Sequence, residues 1–278
     1  MRNYIYLFAI MICTIGCEDV IEVDLDSEPP RLTVDAVIRL DTNQPITTAI
    51  INVSESSSFF DQIQPVQVEE LRIQNLEYEP INALDENFIL FNETGSGVYE
   101  ATTRTDFFTT GELILTLGYK NELFLARTTF APAVPFDRIV QGDAVLFSGE
   151  ETEIIVSFTD IPDQTNFYIF DFDFNEYLVS EDTFYPGQQF EFSYFYDNLE
   201  TGTTLDISIL GATRSFYTYM NQLIVQSGGN QGPFQTPVGT VRGNLINVTE
   251  TGDRTKNSNF ALGYFAVVEE FKERITIE

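Results

Sequence analysis

The sequence has no histidine and no tryptophan, and its two cysteines are Cys13 and Cys17. Imidazole and thiolate groups are the usual ligands of zinc and copper and the usual partners in nucleophilic catalysis. Their scarcity excludes most hydrolases of those classes and leaves carboxylate chemistry as the remaining route to an enzyme. We therefore expect a protein that is not an enzyme and that carries no cofactor.

Basic residues are also scarce, with 14 lysines and arginines against 43 acidic residues and a formal net charge of −29. A field of this sign repels nucleic acid and anionic lipid, so neither is expected as a direct partner. Because the acids are dispersed along the chain, they indicate the solvated faces of folded domains. A carboxylate-dependent glycoside hydrolase stays open as an alternative, but it needs two carboxyl groups facing one sugar about 5–10 Å apart.

The first 16 residues have the layout of a secretory signal, with a cationic start and an apolar run over Tyr4–Ile15 before Gly16. The run is shorter than the roughly 20 residues that cross a bilayer. The cysteine that follows resembles that of a bacterial lipobox, although Thr14 stands where leucine is usual. We predict that residues 1–16 are removed and that Cys17 is acylated. The alternative is an ordinary signal peptide with Cys17 near the cut by chance.

Strand-like runs follow a predicted acylated tether over residues 17–30. The run Arg31–Leu40 places apolar residues at every even position, which is the period of a β-strand. Six further short runs precede residue 131, with glycine and asparagine between them. Seven short strands in about 100 residues are typical of an immunoglobulin-type sandwich. We predict such a domain over residues 31–131, without the disulfide and tryptophan of antibody domains.

The second half of the chain is predicted as another β-rich domain, residues 138–278, after a stiff linker over Ala131–Asp137 that contains two prolines. It is expected to close with two strands, Ala261–Val268 and Phe271–Ile277. The expected fold class is thus all-β, with two β-sandwich (Ig-like) domains.

One segment of the second domain has helical instead of strand periodicity. Its apolar residues follow the i, i+3, i+4, i+7, i+8 spacing from Phe216 to Ile224. This pattern predicts one inserted α-helix near residues 215–227, packed against the second sheet. Thr213 or Ser215 can cap its start.

The segment Asp171-Phe172-Asp173-Phe174-Asn175 begins like a calcium loop of the form D-x-D-x-N. Such loops usually continue with glycine, whereas Glu176 follows here. The alternation of rings and acids favours a strand over Asn166–Phe174, with a buried aromatic face and a solvated acidic face. A calcium site formed by Asp171, Asp173 and Asn175 is kept as the weaker alternative.

Aromatic residues are abundant, with 25 phenylalanines and 13 tyrosines, and most are expected to fill the cores. Tyr217 lies off the apolar stripe of the helix, while Phe184, Tyr185 and Phe234 lie in turn-rich stretches where a ring is hard to bury. Exposed rings on loops often mark binding surfaces. We predict that these four residues contact a receptor or ligand, with local packing as the alternative.

Three groups of residues carry a resemblance to a known family. They are Cys17 with its following acids and the strand Arg31–Leu40; the strand Leu205–Leu210 with the helix after it; and the closing set Pro233-Phe234, Pro237, Gly243-Asn244 and Gly263-Tyr264-Phe265. In this order they resemble the Bacteroidota outer-membrane lipoproteins grouped as domain of unknown function 4249. The resemblance spans nearly the whole mature chain.

The resemblance implies a surface lipoprotein, anchored through acyl chains and encoded beside a TonB-dependent receptor. Glu18 and Asp19 look like the surface-export signal of that phylum. The family offers no catalytic or binding residue to carry over. We expect a non-enzymatic accessory partner of such a receptor, which captures an unidentified nutrient on the cell exterior. The alternative is a stand-alone surface adhesin or glycan-binding module.

Overall fold

The computed structural model describes residues 29–57, 62–80, 86–146, 149–197, 199–227, 240–249 and 260–278. The predicted signal and the residues Cys17 and Phe234 lie outside these ranges. The elements are β1 (Leu32–Leu40), β2 (Ile46–Glu55), β3 (Gln64–Pro65), β4 (Glu70–Asn75), β5 (Phe88–Leu90), β6 (Asn92–Gly95), β7 (Val98–Arg104), α1 (Asp106–Thr109), β8 (Glu112–Tyr119), β9 (Glu122–Ala131), β10 (Phe136–Gln141), β11 (Thr152–Thr159), β12 (Phe167–Asp171), β13 (Tyr177–Glu181), a 3-10 turn (Asp182–Phe184), β14 (Gln189–Tyr196), β15 (Thr204–Ala212), α2 (Arg214–Gln226), β16 (Ile246–Asn247) and β17 (Leu262–Thr276). The all-β prediction is confirmed. Within the described ranges, no helix is long and apolar enough to span a membrane.

The first core lies inside a sheet whose main path runs β5-β4-β8-β9-β17-β1-β2-β7-β6. Residues from β1, β2 and β7 share one apolar cluster with residues from β4, β8 and β9, so the two halves of this path face each other. The even residues of β1, such as Val34 and Ile38, are buried in this cluster. The alternation in the sequence therefore predicted the inward face of β1 correctly.

The last strand, β17, connects the two halves of the molecule. Its first part pairs in parallel with β1 over Leu262–Glu269 and briefly with β9, and its second part pairs antiparallel with β15 over Glu270–Thr276. The prediction of two separate closing strands was wrong, because the backbone continues through Glu269 and Glu270 without a turn. A strand from the predicted second domain thus lies between β1 and β9 of the predicted first domain.

Two further cores lie on opposite faces of β12, β15 and β17. On one face, Tyr168 and Phe170 of β12 enter a second core that the sheet β10-β11-β14 covers. On the other face, Phe167 and Ile169 enter a third core that α2 covers. The helix begins where the Thr213 hydroxyl accepts a hydrogen bond from the Phe216 backbone at 3.3 Å, which confirms Thr213 as the cap.

The predicted linker, residues 131–137, is packed against the rest of the protein. Ala133 and Val134 are buried, and the Ala133 backbone N–H donates to the Glu269 carboxylate at 2.9 Å. The chain then enters β10 at Phe136. These contacts fix the position of the segment that the sequence predicted as a stiff linker.

Candidate functional site

A cavity of about 370 Å³ lies between α2 and the outward faces of β1 and β17. Its size is at the lower end of the roughly 300–1,000 Å³ typical of small-molecule pockets. The lining residues are Thr33, Val34, Asp35, Val37, Arg39, Ile169, Tyr177, Leu210, Phe216, Tyr219, Met220, Leu223, Gly263 and Tyr264. Within α2 only Phe216 is buried, and the next stripe residues Tyr219, Met220 and Leu223 stay half-exposed. The apolar stripe of α2 therefore faces a cavity, not a closed core, at Tyr219, Met220 and Leu223.

The walls of the cavity follow from the register of β1 and β17. Because the even residues of β1 enter the first core, its odd residues Asp35, Val37 and Arg39 face outward. The parallel pairing of the strands places Tyr264 beside Asp35. The Tyr264 ring lies 4.7 Å from the ring of Tyr219, measured between centroids, so aromatic contact joins the helix to the sheet beside the cavity.

Arg39 is the cation at this site, and its charge is already compensated. Its Nη1 lies 2.8 Å from Asp171 Oδ2 and 3.2 Å from Glu270 Oε1. Burial by itself lowers the pKa of Arg39, but the hydrogen bond and negative charge of Asp171, together with the charge of Glu270, raise the pKa overall. Two carboxylates therefore share one guanidinium, and Arg39 has no surplus charge with which to bind an anion.

Asp35 is an exposed carboxylate at the same cavity. Within the described part of the chain, its side chain has no hydrogen-bond or ion-pair partner. Burial, helped by the charge of Asp35, raises the pKa of Tyr219 to about 12. Burial, followed by the charge of Asp171, raises the pKa of Tyr177. Both phenols are thus protonated at neutral pH, and the site offers one free carboxylate beside neutral hydroxyl groups.

The aromatic and acidic segment after β12 differs from its prediction. Phe170 and Phe172 are fully buried, as expected, but the strand ends at Asp171 and the exposed fraction of Phe174 is 55%. Asp173, Phe174 and Asn175 have φ values of 63°, 49° and 63°. Three successive left-handed residues form a tight turn into β13, so the predicted strand over Asn166–Phe174 is too long.

The calcium alternative gains no support from this turn. Asp171 Oδ2 pairs with Arg39, and Asp171 Oδ1 accepts a hydrogen bond from the Asp173 backbone at 3.1 Å. Asp173 Oδ1 accepts one from the backbone of Phe174 at 2.8 Å. Across the described ranges, no group of three or more acidic, histidine or cysteine side chains is arranged to hold a metal ion. The oxygens of both aspartates hold the turn together.

Two of the four predicted contact residues lie at the turn after β13. The exposed fraction of Phe184 is 89%, so this ring lies on the surface, and its contact with a partner stays a prediction. The prediction was wrong for the exposure of Tyr185, whose ring is 4% exposed and stacks on Phe190 at 4.3 Å between centroids. The hydroxyl of Tyr185 is hydrogen-bonded to Ser180. The turn therefore directs one ring outward and the next one into the second core.

The other two predicted contact residues give less information. Tyr217 is half-buried, and its ring packs against Phe167 with 5.1 Å between centroids. Packing against Phe167 therefore explains why much of the Tyr217 ring is buried. Phe234 lies outside the described residues.

The residues that form the cavity were not predicted as a site. Asp35 and Arg39 look in sequence like the ordinary solvent face of a strand, and Tyr177 and Tyr264 look like ordinary strand aromatics. The signals that were present are the mixed polar character of the odd positions in β1 and the apolar stripe of α2. Neither signal indicates that β1 and a helix about 180 residues later face each other.

Fold and site together define an all-β protein with a small, mainly apolar cavity under the helix α2. Residues 18–274 match the family model described as Domain of unknown function (DUF4249), and the chain belongs to that family. No curated protein matches the chain. The resemblance to domain of unknown function 4249 is thereby confirmed, and the description of this family assigns neither a ligand nor a reaction.

Proposed function

We propose that this protein is a surface-exposed outer-membrane lipoprotein that acts as a non-enzymatic accessory of a TonB-dependent receptor in nutrient capture. The observation that carries the binding role is the cavity under α2. It combines apolar walls with a few polar groups, which is the usual composition of a small-molecule site. The anchor and the receptor partnership are supported by the lipobox-like Cys17 and by the family resemblance.

The buried acids favour binding over catalysis. Asp160 accepts hydrogen bonds from the Tyr168 hydroxyl at 2.6 Å and from the Gly187 backbone at 2.7 Å. Glu153 accepts from the Ser193 hydroxyl and from the Ala144 backbone. These carboxylates hold strands and loops in place. A glycosidase needs two free carboxyl groups at one site, whereas the described cavity lining offers one, Asp35.

The tether keeps this cavity close to its proposed partner. Thr33, which lines the cavity, follows Cys17 by about 16 residues, and so many residues span at most about 55 Å. A module held at this distance raises the local concentration of ligand near the channel without needing tight affinity of its own. Two or more acyl chains make such an anchor stable.

The anchor is tested by labelling cells with radioactive palmitate. Wild type and Cys13→Ala are expected to incorporate label, because Cys13 leaves with the signal, whereas Cys17→Ala is expected to incorporate none. Equal labelling of Cys17→Ala would contradict the proposed anchor.

The receptor partnership is tested by extraction in mild detergent, where the protein is expected to co-purify with a large outer-membrane β-barrel. Phe184→Ala is expected to reduce this co-purification, with Phe174→Ala as the matched control because its ring is also exposed. Recovery of the protein without any such partner would favour the adhesin or glycan-binding alternative.

A further inference from the structure

We infer that the cavity under α2 binds an amphipathic organic cation, that is, a protonated amine carried on an apolar or aromatic body. This inference rests on the proposed function only in taking the bound molecule to be the captured nutrient. Binding itself depends on the cavity, and it can be measured without a receptor.

The charge balance at the site favours a cation. Asp35, Asp171 and Glu270 contribute three negative charges against the single positive charge of Arg39. The Nζ of Lys272 lies 3.7 Å from Glu270 Oε1, and the site remains net negative when this exposed lysine is included. Since Asp35 has no partner among the described residues, a ligand ammonium group would supply the missing positive charge.

An anionic ligand is disfavoured by the same arrangement. To bind a carboxylate, Arg39 would have to release Asp171 or Glu270, whose side chains are only 15% and 16% exposed. A largely buried carboxylate without its partner is costly. The ligand carboxylate would also face the negative charge of Asp35. Selectivity against acids is therefore built into the ion pairs around the cavity.

The remaining walls suit the body of such a ligand. Tyrosine rings attract a cation placed within about 6 Å of their faces, and Tyr177, Tyr219 and Tyr264 all line the cavity. Apolar side chains, including Met220 and Leu223, line it from the helix. Methionine is flexible enough to adapt to ligands of different shape. Together these groups fit one aromatic ring or a short aliphatic chain with a terminal amine.

The test is isothermal titration calorimetry on the full mature lipoprotein in mild detergent at neutral pH. The probes are phenethylamine, the neutral 3-phenylpropanol and the anionic 3-phenylpropionate, which have similar shapes and differ in charge. We expect phenethylamine to bind, the alcohol to bind at least about tenfold more weakly, and the acid to give no heat of binding at millimolar concentration.

Variants locate the interaction. Asp35→Asn keeps the side-chain volume and is expected to weaken phenethylamine binding about tenfold, which corresponds to the loss of one partly solvated charge pair. Glu191→Gln changes the net charge equally at an exposed position of β14 and is expected to leave binding unchanged. Leu223→Trp narrows the cavity and is expected to weaken the binding of phenethylamine and of 3-phenylpropanol.

Three results would overturn the inference: no heat with phenethylamine at 10 mM, equal or tighter binding of 3-phenylpropionate, or unchanged affinity in Asp35→Asn. None of these results affects co-purification with a receptor, which does not depend on the probes. A protein that enters the receptor complex but fails these titrations would lose the cationic ligand and keep the accessory role.

Discussion

Replacing Gly263 by alanine probes the contact on which the join between β1 and β17 depends. Gly263 has a φ of +90° and pairs with Val34 across the parallel ladder. A Cβ at residue 263 would lie 1.9 Å from the Val34 carbonyl oxygen, whereas real Cβ contacts essentially never fall below 3.0 Å. The two strands would therefore have to separate by about 1 Å at a point where Val34 is buried in the first core.

The expected loss of stability has two parts. A residue with a Cβ in a left-handed conformation costs about 1–2 kcal/mol. Separation of the ladder at Val34 adds the loss of backbone hydrogen bonds, at about 1 kcal/mol each, and of packing in the first core. We expect Gly263→Ala to lose about 4 kcal/mol in free energy of unfolding. At about 2–4 °C per kcal/mol for a chain of this size, the Tm falls by about 10 °C.

Gly202→Ala is the matched control, because it separates the conformational cost from the steric one. Gly202 also has a φ of +90°, but no heavy atom lies within 4 Å of the point that an alanine methyl group would occupy there. Only the conformational part applies, so we expect a loss of about 1–2 kcal/mol. Thermal unfolding followed by far-ultraviolet circular dichroism, together with urea titration, measures both variants.

A small difference between the two variants would refute this reasoning. If Gly263→Ala melted within about 2 °C of Gly202→Ala, β1 and β17 would have room for a methyl group, contrary to the close approach described above. The same outcome would remove the steric reason for a glycine at residue 263.

Other changes test the remaining interactions. Asn244→Ala removes the amide that accepts from the Phe265 N–H at 2.9 Å and donates to its carbonyl at 2.8 Å; urea titration should show a loss of about 2–4 kcal/mol, with Asn244→Asp intermediate. Burial raises the pKa of Tyr185 to about 12, above its unfolded value of about 10. Its stabilisation is full below pH 10 and is lost as the pH rises through 12, so unfolding free energies at pH 9 and 11 should differ less in Tyr185→Phe than in wild type. Arg39→Met should cost about 1–3 kcal/mol in chemical unfolding because it removes the guanidinium that two largely buried carboxylates share, whereas the exposed Arg104→Met should cost less than about 1 kcal/mol.

Local patterns predicted most of the strands because alternation records which face of a strand is buried. The prediction for Arg31–Leu40 differs from β1 by one residue, and the helix predicted near residues 215–227 begins one residue earlier in the structure. In both cases the pattern is local: a period of two for the strand, and an apolar stripe after a capping threonine for the helix. No distant contact is needed to see either pattern.

The errors arose where distant residues decide the structure. Glu269-Glu270 looked like a break between two strands, but Glu269 accepts hydrogen bonds from Thr42 and Ala133, and Glu270 pairs with Arg39. Residues far away in the chain thus stabilise two acids inside a continuous strand. The cavity could not be predicted for the same reason, because its walls come from β1, β12, β13, β15, α2 and β17 and meet only in the folded chain.

The position of β17 sets the order in which the molecule can form. The strand that separates β1 from β9 follows every other described strand in the chain, so the first core stays open along one side until that late segment has emerged. Pairing across such a sequence separation is slow, and the exposed strand edges attract other chains in the meantime. For the export to the cell surface proposed above, this delay is an advantage, because a chain that has not closed its sheets can still be threaded through a narrow translocation channel. Deleting residues 262–278 should leave both halves incomplete.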